Sequence, residues 1–142
     1  MADKKTYVCV AAIAVKDLFD DKYKATLPKL MKATIEAAVN KSPKLTTKPP
    51  ADKTEEGFYI AGTLGPLTNP TVGSRVDISA KVSLVLASWP KKSMFAFPNA
   101  EASFQGIDAK KIDKEVEELV IKTILEPMMK DDVIKLLEKR AP

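Results

Sequence analysis

Residues 6–15, TYVCVAAIAV, carry apolar side chains on both sides of an extended chain. Tyr7, Cys9, Ala11, Ile13 and Val15 alternate with Val8, Val10, Ala12 and Ala14. The β-branched and aromatic content predicts a strand. Without polar alternation, both faces of that strand should be covered. After the polar KDLFDDKYKAT the rhythm becomes helical: Leu27, Leu30, Met31, Thr34, Ile35 and Ala38 form one stripe. Thr26 is the expected N-cap, Pro28 falls in the first turn and Pro43 ends the helix. Residues 41–56, KSPKLTTKPPADKTEE, read as a Pro/Lys-rich surface loop.

Three strands follow. In 57–67 Phe58, Ile60 and Leu64 share one face until Gly65-Pro66 breaks the run, and TNPTVGS is turn material. In 75–88 Val76, Ile78, Ala80, Val82, Leu84 and Leu86 point inward, and Asp77, Ser79, Lys81 and Ser83 point outward. The outward face turns apolar late, at Val85 and Ala87. The third strand, 93–106, is irregular at Pro98-Asn99, which marks a bulge or an edge. SWPKK between the last two is a hairpin turn with exposed lysines, and Phe95 and Phe97 share a face beyond it. Trp89 at that turn is costly unless something covers it.

The tail is a long helix. Ile112, Val116, Leu119, Val120, Thr123 and Ile124 make its stripe, and Asp108 its N-cap. Pro127 kinks or breaks it, leaving 127–142 as a separate helical piece with Val133, Ile134, Leu136 and Leu137. The whole reads as a single α+β domain over 1–142, in the order β-α-β-β-β-α. Two layers are expected: about four mainly antiparallel strands, with two helices packed on one face.

Composition sets limits on this picture. At 45% hydrophobic, 142 residues can bury a core without disulfides or metal. No apolar run reaches the roughly 18 residues of a spanning helix. The short β-branched run 8–15 follows basic residues as a leader would, but no small-residue cleavage site precedes the charged segment. It therefore reads as part of the mature domain. The sequence leaves open whether Met1-Ala2 is native or replaces a removed leader. The compartment is periplasmic or extracellular in the second case, cytoplasmic in the first. Net charge is +4, with +5 in residues 1–50 and −1 in the rest. Only Arg75 and Arg140 of 23 basic residues are arginine, so the lysines fit solubility better than phosphate recognition.

The absence of histidine removes His-based triads and most transition-metal sites. Cys9 is the only cysteine, so neither a disulfide within the chain nor a thiol pair is available. Five dispersed glycines form no phosphate-cradling or nucleophile-elbow motif. Asp17, Asp20 and Asp21, and Asp131 with Asp132, lack calcium-loop spacing. No catalytic set, metal or cofactor is expected, and a small carboxylate-dependent enzyme ranks last among the readings. A Lys-rich nucleic-acid-binding module is the alternative, resting on Tyr59, Trp89, Phe95, Phe97 and Phe104 in or near strands. Against it, the outward residues of 77–83 are not aromatic.

One positive clue remains. With both helices on one face, the other face of the first strand stays apolar, joined by Val85 and Ala87, and a protein partner or second copy would cover it. The candidate interaction residues are Val8, Val10, Val85, Trp89, Lys91, Lys92 and Phe95. The element order with its long kinked closing helix resembles small domains of bacterial envelope lipoproteins, such as the lipopolysaccharide-assembly lipoprotein. GFYIAGTLGPL, VDISAKVSLVLASWPKKSMFAF and ASFQG together resemble uncharacterised secreted domains of myxobacteria. These resemblances imply a non-enzymatic interaction or assembly role outside the cytoplasm. The expected function is therefore a non-catalytic subunit or adaptor of a bacterial envelope or surface assembly, with self-association and no transmembrane segment.

Overall fold

The structure, a computed structural model, describes residues 5–51, 56–69, 71–72 and 75–140. Met1-Ala2 and parts of the two expected loops, 52–55, 70 and 73–74, lie outside the described residues. The long alternating run of residues 75–88 forms the central strand, β6 (Arg75–Trp89). Strand β4 (Gly57–Thr68) and the short β5 (Thr71–Val72) pair antiparallel along one side of it. Along the other side run β7 (Met94–Ala96) and β8 (Asn99–Asp108), also antiparallel. All six inward residues from Val76 to Leu86 are buried, as the alternation predicts.

The α+β class and the helices on one face are as expected, but the strands are more numerous and not all antiparallel. Strand β1 (Thr6–Val10) and β2 (Ala14–Val15) both pair parallel to β4. A helix joins β1 to the rest of the sheet, and a crossover of this kind returns the chain parallel, where a tight hairpin would reverse it. Inside the expected loop, β3 (Leu45–Thr46) adds a parallel edge to β1. The continuous strand expected over 6–15 is interrupted. Between the pairs Val10↔Ile60 and Ala14↔Thr63 the first chain uses one more residue than β4, which buries Ile13 and exposes Ala12 and Ala14. Gly65-Pro66 does not end β4 but bulges it: Leu64 pairs Val82 and Leu67 pairs Ala80. The extra residue lets the edge segment dock there, with Lys16 N–H donating to Leu64 O (2.8 Å) and Leu67 N–H to Asp17 O (3.1 Å).

The first helix, Tyr23–Lys41, starts earlier than Thr26, and Pro28 lies inside it. Its charged start hides an anchor. Tyr23 is buried against Phe19, ring centroids 5.3 Å apart, and its hydroxyl donates to Asp113 Oδ1 (2.8 Å). Tyr23, Leu27, Met31, Ile35 and Val39 then repeat every four residues along the buried stripe, whereas Leu30 is 39% exposed. At the other end, Ser42 is buried and its hydroxyl donates to Glu138 of the closing helix.

That closing helix covers residues 112–140, after a turn capped as predicted by Asp108, whose Oδ1 accepts from Lys110 N–H. Pro127 does not break it. Wider π-type turns, Glu118–Leu125 and Met129–Val133, flank the proline, and Glu118, Glu126, Met129 and Ile134 all hold right-handed helical dihedrals. The widened turn before Pro127 relieves the clash that its ring makes in a regular α-helix. It also changes the period: Leu119, Ile124 and Met129 are buried at five-residue spacing, and Thr123, expected in the stripe, is exposed. Both helices pack with the inward residues of β1, β4 and β6 into one core.

Candidate functional site: the uncovered sheet face

The alternation that buries one set of β6 side chains sends the other set to a face without a helix layer. Register builds that face. Cys9 lies beside Tyr59, Tyr59 opposite Ala87, Ala61 opposite Val85, and Thr63 opposite Ser83. On the other side Ser79 faces Ser103, Lys81 faces Glu101, and Ser83 faces Asn99. One end is thus polar, with a Ser79–Ser103 hydroxyl pair at 2.9 Å. The other end is apolar.

The apolar end is extended by two side chains. Leu86 pairs with Ala96 and Ser83 with Asn99, so the register places Phe97 opposite Val85. Met94 pairs with Ala87. Met94 is 63% and Phe97 61% exposed, the two most exposed large hydrophobic side chains among the described residues. Phe95 and Phe97 do not share a face, contrary to expectation. The chain bulges at Phe95, between the pairs Leu86↔Ala96 and Ala87↔Met94, and turns that ring toward Phe58 on the helix side (6.0 Å, 66°).

Trp89 is covered from within. Its ring stacks on Tyr59 (6.0 Å, 17°) and meets Tyr7 edge-on (6.0 Å, 79°). Lys92 adopts a left-handed backbone (φ 58°), and its Nζ stands 4.9 Å from the Tyr59 centroid and 5.8 Å from that of Trp89. Such cation–π contacts hold the ammonium over the rings. The SWPKK turn is closed by Ser88 N–H to Ser93 O (2.9 Å) and Lys92 N–H to Ser88 O (2.8 Å). Burial pushes the Tyr7 phenol above its ordinary pKa, and its hydrogen bond with Cys9 adds to the shift.

The predicted interaction residues are therefore scattered. Val8 (0% exposed) and Val10 (9%) belong to the core beneath the helices and offer no surface to a partner, a correction forced by the strand's phase. Val85 lies on the open face, with Trp89 and Lys92 at its aromatic corner. Lys91 and Phe95 line a groove of about 480 Å³ at the end of the sheet, with Phe58, Trp89, Pro90 and Arg140. Sequence reasoning missed Met94, Tyr7 and Arg140 as site residues. Period-two alternation puts Phe97 on the face of Phe95, because a bulge leaves no mark in it. Among the described residues no three His, Cys, Asp or Glu side chains come together to hold a metal, and no helix is long and apolar enough to cross a membrane.

Solved structures share this architecture. Protein XCC0632 from Xanthomonas campestris, of family DUF330, is similar at 9% identity over 98% of this chain and 91% of that one, with a TM-score of 0.64. The hypothetical protein CT253 from Chlamydia trachomatis is similar at 13% identity over 94% and 96%, TM-score 0.60. A PelC dodecamer from Paraburkholderia phytofirmans is similar at 12% identity over 88% and 87%, TM-score 0.51. No protein-family model and no curated protein sequence matches the chain. These likenesses are of fold alone, and no sequence-level family stands behind them.

Proposed function

We propose that the chain is a non-catalytic protein–protein interaction subunit of a bacterial envelope or surface assembly, and that its open sheet face meets a second copy of itself. The observation that carries this reading is the apolar end of that face, where Met94 and Phe97 extend the patch formed by the half-buried Val85, Ala61 and Cys9. Contiguous exposed apolar surface of this kind marks interaction sites in soluble domains. Lys92 at its corner is held over the Tyr59 and Trp89 rings. The dodecameric state of a protein with the same fold supports the self-association part of the reading.

The test is solution mass by light scattering behind a sizing column over a wide concentration range. The expected result is a concentration-dependent oligomer that Phe97→Ser and Met94→Ser together convert to monomer. A chain that stays monomeric at every concentration would overturn self-association.

A further inference from the structure

The groove at the end of the sheet is a second feature, set apart from the apolar patch by its charge. We propose that it binds a small amphipathic organic monoanion, its apolar body between aromatic walls and its carboxylate on Arg140 and Lys91. This goes beyond the assembly role and does not depend on it.

Three observations carry the inference. The volume, about 480 Å³, falls within the range of roughly 300–1,000 Å³ usual for small-molecule sites. The walls are aromatic: Phe58 and Phe95 meet edge to face, Phe58 is itself buried in the core, and Trp89 and Pro90 line the groove as well. The cations are free to accept a ligand. Arg140 Cζ stands 4.0 Å from the Phe95 centroid, yet among the described residues Arg140 makes no ion pair or hydrogen bond, and neither does Lys91. A guanidinium held against a ring keeps its planar fork of N–H donors oriented for a carboxylate, so little further ordering is needed on binding. Glu56 also lines the groove, so among the described residues two cations stand against one carboxylate, a balance that favours an anion of single charge. An apolar body is required as well, because a hydrated inorganic anion gains nothing from Phe58, Phe95 and Pro90.

Trp89 is the only tryptophan and lines the groove, so its emission reports occupancy without a label. The full chain is titrated with octanoate, 3-phenylpropionate, the neutral 3-phenylpropanamide and inorganic phosphate. Both organic anions should change the emission saturably, the amide should bind at least about tenfold more weakly, and phosphate alone should give no change. Arg140→Gln should weaken octanoate by about tenfold and Lys91→Gln by less, while Phe97→Ser on the open face leaves the affinity unchanged. Equal binding of amide and acid, or no saturable change, would overturn the proposal. So would wild-type affinity in both cation variants. Loss of binding in Phe97→Ser with retention in Arg140→Gln would place the ligand on the open face and equally overturn it.

Discussion

Gly65 shows how tightly the bulge in β4 is built. Its φ of +142° is a conformation that side-chain-bearing residues rarely adopt, and a Cβ there would lie 1.8 Å from the Lys16 carbonyl oxygen. Gly65→Ala should therefore cost at least about 2 kcal/mol in urea denaturation, by strain and by detaching residues 16–19 from the sheet. Tyr23 and Asp113 make a second prediction at this scale. Burial, and then the hydrogen bond to Asp113, push the Tyr23 phenol well above its ordinary value. Its protonated form is favoured in the fold, so that stability is present below about pH 10 and is lost as pH rises toward the folded value. Asp113 is held below the usual carboxylate range, first by Lys22 (2.8 Å) and then by Tyr23. Its contribution is present above about pH 4 and is lost as pH falls through the depressed value. Melting temperature against pH should lose part of its alkaline slope in Tyr23→Phe and part of its acid slope in Asp113→Asn.

The closing helix carries the prediction at the element scale. Its buried residues Leu119, Ile124 and Met129 follow the longer period of the π-type turns, and Thr123 is exposed. Ile124→Ala should cost about 2–5 kcal/mol, while Thr123→Ala should change stability by no more than about 0.5 kcal/mol. A large cost at Thr123 would mean that the regular α-helical phase holds instead. The same logic applies to β1, where Val8 and Val10 face the core and Tyr7 and Cys9 face the open side. Val10→Ala should lower stability, by about 2 kcal/mol, and leave association as it is.

At the scale of the whole molecule, the two layers leave the sheet with one covered and one open face, and the assembly proposal follows from that asymmetry. Phe97→Ser and Met94→Ser should leave stability within about 0.5 kcal/mol, because both side chains are mostly in water, while lowering the solution mass. Denaturation and light scattering on the same variants separate the two effects. A parallel loss of stability would instead identify these residues as part of the core.

The sequence by itself determined the elements whose periodicity reports burial directly. The alternation from Val76 to Leu86, the four-residue repeat of Leu27, Met31 and Ile35, and the Asp108 cap were legible because each depends on local geometry. So was the late apolar turn of the outward face at Val85 and Ala87, the first trace of the candidate site. Tertiary structure alone decided how these pieces meet. The parallel placement of β1, the short edge β3, and the anchoring of Tyr23 on Asp113 depend on partners distant in sequence. Single extra residues at Ala11–Ile13, Gly65-Pro66 and Phe95 change which face the following side chains occupy, and a period-two pattern carries no record of such an insertion. Phe97 reached the open face and Phe95 the groove for that reason, and only folding brought Arg140 at the end of the chain to the Phe95 ring.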